Sequence, residues 1–476
     1  MSRHLFQSSL TAFALFVFGC SVGPDYKEPA LAVPRAWNEV QQKGVDSRPL
    51  DLVRWWTAFE DPLLDSLVDR AVRSNLDLRV AEARVREARA ARAAIAAGQW
   101  PAVNTSGSYA RSRTSENALN FPSQGGASNF KLERNLFDAG FDANWEVDVF
   151  GGVRRRVEAA DATVEATEYS RRDVLVTLLG DVARNYIDLR GAQRRLAVAH
   201  ANLESQEDSL ELTRVRFKAG LASDLDVARA EAQINTTAAQ VPVIESALKQ
   251  AAYNLDLLLG LSPGALWREL EKQTAIPKLP ADVLVGLPSD LLRRRPDIRF
   301  AERRLAAATA QVGSAIADLF PKFFLTGIFG LQSISAGDWL TGGSRYWSIG
   351  PSIAWPVFDA GRIRANIEIR NAQQEQALQQ YEQAVLAAVG DVEKSLVNYA
   401  QEQGRYRSLN DAVAANRRAV AMANELYVRG LNDYLAVLDS QRALYVTETE
   451  LAQSEAAMAS NLVALYKALG GGWETH

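Results

Sequence analysis

The chain has 476 residues, 47% of them apolar and 23% charged. That length suits one large or two to three ordinary domains, and that apolar fraction excludes a disordered polymer. The formal net charge is -4, which does not suggest a nucleic acid as partner.

The first nineteen residues, 1–19, read as a secretory signal: basic Arg3, an apolar run from Leu10 to Phe18, and small Gly19 directly before Cys20. Removing them takes away Arg3 and no acid, so the net charge goes from -4 to -5. Cys20 is the single cysteine, so no intramolecular disulfide can form. Its setting, Val17-Phe18-Gly19-Cys20, resembles a bacterial lipobox, and the expectation is covalent N-acyl and S-diacylglycerol lipid on Cys20. Ser21, which is not acidic, follows it; in lipoproteins that resemblance implies sorting to the outer membrane. Beyond the signal no stretch approaches the ~18 apolar residues of a spanning helix. Any crossing of a membrane falls to strands.

After an N-terminal anchored segment, 20–60, the chain repeats itself. Asp77, Arg79, Ala81, Glu82, Arg84, Pro101 and Gly107 return as Asp297, Arg299, Ala301, Glu302, Arg304, Pro321 and Gly327, a constant offset of 220. Further on the offset is 210: Gly151, Gly180-Asp181-Val182, Gly220-Leu221 and Leu259-Gly260 return as Gly361, Gly390-Asp391-Val392, Gly430-Leu431 and Leu469-Gly470. The first repeat occupies 61–287, including a proline-rich connector at 261–287, and the second 288–476.

Each repeat opens on a helical pattern, 75–98 and 295–318, stopped by Trp100-Pro101 or Phe320-Pro321. Strand hairpins are expected next, at 101–150 and 321–358. From Phe141 to Val149 odd positions are apolar or small and even ones polar, and Trp347, Ile349, Ile353, Trp355 and Val357 alternate likewise. Partner strands are expected near Ala102 to Arg113 and Lys322 to Gln332.

Helical hairpins follow, at 153–260 and 361–470. Leu175, Val182, Leu189, Leu196, Leu203, Leu210 and Phe217 stand seven apart, and Val385, Val392, Tyr399, Tyr406, Val413, Val420 and Tyr427 keep the same register. A helix from Val153 to Ala219 would run about 100 Å, too long for a globular core to cover, so it must lie along other helices. The heptad resumes with Val227, Ile234, Val241, Leu248 and Leu255, matched by Val437, Leu444, Leu451, Met458 and Leu465. Gly220 and Gly430 suit the reversals between the two runs. Pro242 has no counterpart at Ala452, so a kink is expected there.

Two hairpins give four strands, which can neither close a barrel nor hide their edges in lipid. Several chains must complete it: two would reach the smallest outer-membrane barrels of about eight strands and three would give twelve, and the sequence alone does not choose.

Histidines occur only at 4, 200 and 476, so no His or Cys metal centre can be assembled in one mature chain. No phosphate loop or nucleophile motif stands out, and the chain is read as no enzyme. Arg293-Arg294-Arg295 precedes Pro296 at a helix start and reads as a surface or interhelical pairing cluster.

Five motifs together resemble the outer-membrane factor family, and nearest its lipoprotein branch typified by OprM and NodT, with TolC more distant. They are Cys20-Ser21-Val22-Gly23-Pro24-Asp25-Tyr26, Trp55-Trp56, Leu292 to Arg299, Phe358 to Arg364 and Leu465 to Trp473. The resemblance implies a mainly α, TolC-like tandem-repeat fold that forms a trimer. Its twelve-stranded β-barrel, four strands per chain, would be continuous with a long periplasmic α-helical barrel. It further implies an outer-membrane channel that docks on a periplasmic adaptor, or membrane fusion protein, and an inner-membrane transporter of the resistance-nodulation-division (RND) type. An exit duct for protein secretion or metal ions, and a non-conducting structural lipoprotein, stay open as alternatives.

Tyr427 to Arg442 resembles the family's pump-facing tip, with Leu435, Asp439 and Arg442 on one helical face. Rings of Leu435 would form an apolar constriction, and Asp439 near Arg442 a charged gate; the plainer reading is a solvated face. Asp226 and Tyr427 match latch positions of TolC-like proteins, whereas Asn432 stands where TolC carries a gating arginine; Tyr427 also reads as a heptad core aromatic. Gly220, Leu221, Gly430 and Leu431 are expected to contact the adaptor.

Overall fold

A computed structural model describes residues 21–31, 33–38, 45–46, 52–115, 132–280 and 283–473; Cys20 lies outside the described residues. The chain divides into two compact units. One comprises the N-terminal segment with 86–166 and 302–379, the other 30–85, 167–301 and 380–476.

The first repeat runs α1 (Pro62–Ser74), α2 (Leu76–Ala97), β1 (Ala102–Arg113), β2 (Glu133–Val147), α3 (Gly152–Lys218), α4 (Asp224–Ala238) and α5 (Val241–Leu258). The second runs α6 (Pro296–Ala317), β3 (Lys322–Ser333), β4 (Arg345–Ala354), α7 (Arg362–Val428) and α8 (Tyr434–Ala468). Both α3 and α7 are 67 residues long, so the copies preserve this element to the residue. Strand β4 ends at Ala354, and Trp355 and Val357, expected in it, lie beyond. Pro356 between them has no N–H to offer a ladder.

In the first unit the four strands form one antiparallel sheet in the order β1-β2-β3-β4. The register aligns Thr105, Phe141, Phe329 and Trp347 in one row and Asn104, Asp142, Ile328 and Ser348 in the next. Because side chains alternate across a pleat, the odd rows gather Phe137, Phe141, Trp145, Leu325, Trp347 and Ile353 on one face. The even rows put most of the polar side chains on the other. Asn104 donates to Asp142 at 3.0 Å and Gln332 to Asp138 at 3.0 Å across that polar face. Among the described residues, strands β1 and β4 each pair on one side only.

The residues after Cys20 are fastened beside the helix that leaves β2. Val22 N–H donates to Phe150 O at 3.1 Å. Arg155, 4% exposed, donates to Val22 O, Gly23 O and the Asp25 carboxylate and also reaches Glu158. Tyr26 donates to Glu302, a carboxylate with no exposure, which also accepts from Arg303. Such a buried charge is tolerable because it is paired and hydrogen-bonded. The bond to Glu302 raises Arg303 above the usual guanidinium range, and burial, then the Glu302 bond, raise the Tyr26 hydroxyl.

The core of the second unit is aromatic. Trp55 meets Trp56 edge-on at 5.9 Å and Tyr466 at 5.4 Å. Helix α1 buries Leu64, Leu67, Val68 and Ala71, spaced three, four and seven apart as one helical face requires. Asp61 caps α1, accepting from Leu63 N–H and Leu64 N–H, and its second oxygen accepts from the buried Tyr186 hydroxyl at 2.7 Å. Arg295 pairs with Asp297 at 2.7 Å and Asp391 at 3.3 Å and donates to Ala468 O, while Arg293 stays on the surface beside Asp290. Within the arginine cluster it is thus Arg295 that joins helices, while Arg293 makes a local surface pair.

The heptad residues Leu175, Val182, Leu189, Val385, Val392 and Tyr399 are buried, and a fully buried Leu or Val contributes about 1.5–3 kcal/mol. Toward the end of α3 the stripe changes. Phe217 is 42% exposed, and Asn202, Gln206, Ser209 and Thr213 are buried instead. The disturbance expected at Pro242 takes the form of a short interruption: α4 ends at Ala238 and α5 begins at Val241, with Ala239 and Gln240 between them still in helical conformation, whereas α8 runs unbroken for 35 residues. Proline has no N–H to bond the carbonyl four residues back, and its ring crowds that carbonyl.

Candidate functional site: the paired helical turns

Two turns join the helices of the second unit, and they are built alike. At the first, Gly220 N–H reaches Phe217 O at 2.9 Å and Leu221 N–H reaches Arg216 O at 2.8 Å. At the second, Gly430 N–H reaches Tyr427 O at 3.0 Å and Leu431 N–H reaches Leu426 O at 2.9 Å. This paired pattern closes a helix through a left-handed residue, and Gly220 and Gly430 have φ of 76° and 72°. A Cβ on Gly220 would meet nothing within 4 Å, so backbone conformation, not space, requires glycine there. Leu221 and Leu431 are 66% and 71% exposed.

The returning helices start on side-chain caps. Ser223 accepts from Asp226 N–H, and the Asp226 carboxylate accepts from Ser223 N–H and from its hydroxyl, a reciprocal capping box. Asp226 is therefore engaged within its own turn. Asp433 caps α8 by accepting from Ala436 N–H at 3.2 Å.

Tyr427, 4% exposed, belongs to a small core with Leu210, Ala230, Tyr434 and Val437. Its hydroxyl faces the Thr213 hydroxyl at 3.4 Å, its ring lies 5.6 Å from that of Tyr434, and the Arg216 guanidinium stands 4.7 Å above it. Arg216 also donates to Val428 O at 3.1 Å, so the end of α3 holds the end of α7. Burial first, then Tyr427 and Asp226, pushes the Tyr434 hydroxyl up to about 12.

Leu435 is partly exposed at 39%, and Asp439 and Arg442 are exposed. Arg442 donates to Gln233 at 2.6 Å and so ties α8 to α4. Gln441 donates to the Ser209 hydroxyl at 2.7 Å. Sequence reading missed Thr213, Arg216, Gln233 and Gln441, which hold the turns together. For Thr213, three residues after Leu210, and Gln441, four after Val437, the signal was a polar residue at a position the heptad turns inward.

A sheet with one oily face and two unpaired edges, joined to helices far longer than a globular core covers, defines a strand-built membrane channel subunit. Comparison with known proteins agrees. The family described as outer membrane efflux protein matches residues 67–261 and 287–471. The chain is 33% identical over 462 residues to Nodulation protein T of Rhizobium leguminosarum bv. trifolii, covering 97% of this chain and 96% of that relative. It is 34% identical over 476 residues to the toluene efflux pump outer membrane protein TtgI of Pseudomonas putida, covering 98% of both. The solved structure of the outer-membrane channel OprN superposes with a TM-score of 0.89 at 38% identity, covering 95% of this chain and 100% of that one.

The chain belongs to the outer membrane efflux protein family. It has the TolC-like fold of these channels, resides in the outer membrane, and acts as an efflux channel and hence a transporter.

Proposed function

We propose that three copies of the chain close a twelve-stranded barrel whose helices continue as a periplasmic duct. The two unpaired edges of the sheet support this reading, because an open edge in lipid leaves each backbone group unsatisfied at a cost of several kcal/mol. The duct conducts passively. A periplasmic adaptor contacts the turns at Gly220, Leu221, Gly430 and Leu431, and an RND-type transporter in the inner membrane supplies the energy. The cargo is small toxic organic compounds, the class to which the toluene named for one relative belongs.

The turns form the gate. Tyr427, held by Thr213 and Arg216, keeps α7 against α3, and Asp226 fixes the first turn. Leu435, Asp439 and Arg442 of three chains form rings, and the hairpins separate like an iris when the adaptor engages. Single-channel conductance in a planar bilayer tests this, comparing wild type with an Asp439→Ala, Tyr427→Phe variant. A small wild-type conductance that rises severalfold in the variant is expected. Equal conductances would remove the gate and keep the duct, and no conductance in either would overturn the duct.

Cys20 carries thioether-linked diacylglycerol and an N-acyl chain that anchor the mature N-terminus in the outer membrane. Mass spectrometry of the N-terminal peptide should show the lipid, and Cys20→Ser should lack it; an unmodified wild-type cysteine would refute the anchor.

A further inference from the structure

The polar face of the sheet carries charge of one sign along most of its height. The register places Asp138, Asp142 and Glu146 of β2 there, in rows with Ser108 and Gln332, with Asn104, and with Phe324. Arg134 bounds this stretch at the far end of β2. Lys322 bounds it at the helix side, where its ammonium is paired with Asp318 at 2.8 Å. Between those limits no Lys or Arg stands on that face of any of the four strands among the described residues. The amides of Asn104 and Gln332 hold two of the carboxylates against the wall. Sites four residues apart on a strand lie about 13 Å from one another, so the column covers roughly 27 Å, close to the ~25 Å apolar band of an outer-membrane barrel.

We propose that this column makes the barrel lumen prefer cations, so that small organic cations and zwitterions leave through it more readily than anions of equal size. The proposal rests on the trimeric barrel reading, in which the polar face lines the water and three such columns surround it. No single carboxylate is required to hold an ion. The column instead sets the potential of the water beside it, and each kT of negative potential enriches monovalent cations over anions by roughly sevenfold. The Debye length is ~8 Å at physiological salt and ~3 Å at 1 M, so the preference should shrink as salt rises.

The test is the reversal potential of the purified, reconstituted protein across a KCl gradient, at low and at high salt. Wild type should prefer potassium severalfold at low salt and less at high salt. Asp138→Asn, Asp142→Asn, Glu146→Gln together should bring the ratio near unity with a unit conductance of the same order. If that variant inserts poorly, Ser108→Lys, opposite Asp138, should lower the preference alone. A preference kept in both variants but lost in Asp439→Asn would overturn the column and place selectivity at the turns. Anion preference or none in wild type would also overturn it. Absence of any channel would overturn the duct reading and, with it, any role of the column.

Discussion

Gly472 shows how one residue of the carboxyl-terminal motif constrains the fold. Its φ is 104°, and a Cβ there would come within 2.4 Å of Leu179 Cδ1. Gly472→Ala should therefore destabilise the second unit by about 1–3 kcal/mol, seen as a lowered thermal midpoint; an unchanged midpoint would show that the neighbours give way. Tyrosines set a pH limit. Burial is the first cause that pushes the Tyr186, Tyr434 and Tyr466 hydroxyls from 10.0 up to about 12. Below pH 10 these hydroxyls are neutral in folded and unfolded chains alike. Between pH 10 and about 12 the unfolded chain ionises first, so the stability present below that window is lost as pH rises through it. Thermal melts across this range should fall, and Tyr434→Phe should flatten part of the fall.

At the scale of elements, periodicity carried most of the information. The alternation around Phe141 and Trp347 identified the strands because a half-wet sheet demands it, and spacing by seven identified α3 and α7 because their stripes must face other helices. Strand ends and the polar stretch of α3 were not legible. Asn202, Ser209 and Thr213 become legible as interior positions only with Glu448, Gln441 and Tyr427 opposite them. Likewise Asp226 read as a latch from resemblance, while the capping box that engages it was unread, although Ser223 three residues earlier was its signal. The difference between α4–α5 and α8 can be tested directly. Ala452→Pro should cost about 3 kcal/mol or more, because it breaks a continuous helix; Pro242→Ala should cost little and should join α4 to α5 in a crystal structure. Equal effects of the two substitutions on thermal unfolding would show that the break has another cause.

At the scale of the whole molecule, the duplication was plain in the sequence because glycines and prolines at corresponding turns and helix starts return with fixed offsets. That four strands leave two edges was legible too, and the proposed trimer rests on it. Which side chains meet at the turns was not, because those contacts join residues more than 200 positions apart, such as Thr213 with Tyr427 and Gln233 with Arg442. The interruption between Ala238 and Val241 separates the two returning arms mechanically. Helix α8, 35 residues long, is a stiff rod of about 50 Å, so a push at Gly430 travels its whole length. The same push at Gly220 meets, after 15 residues of α4, the interruption where Pro242 has no N–H for the Ala238 carbonyl. One copy of the repeat is thus suited to transmit force and the other to yield to it.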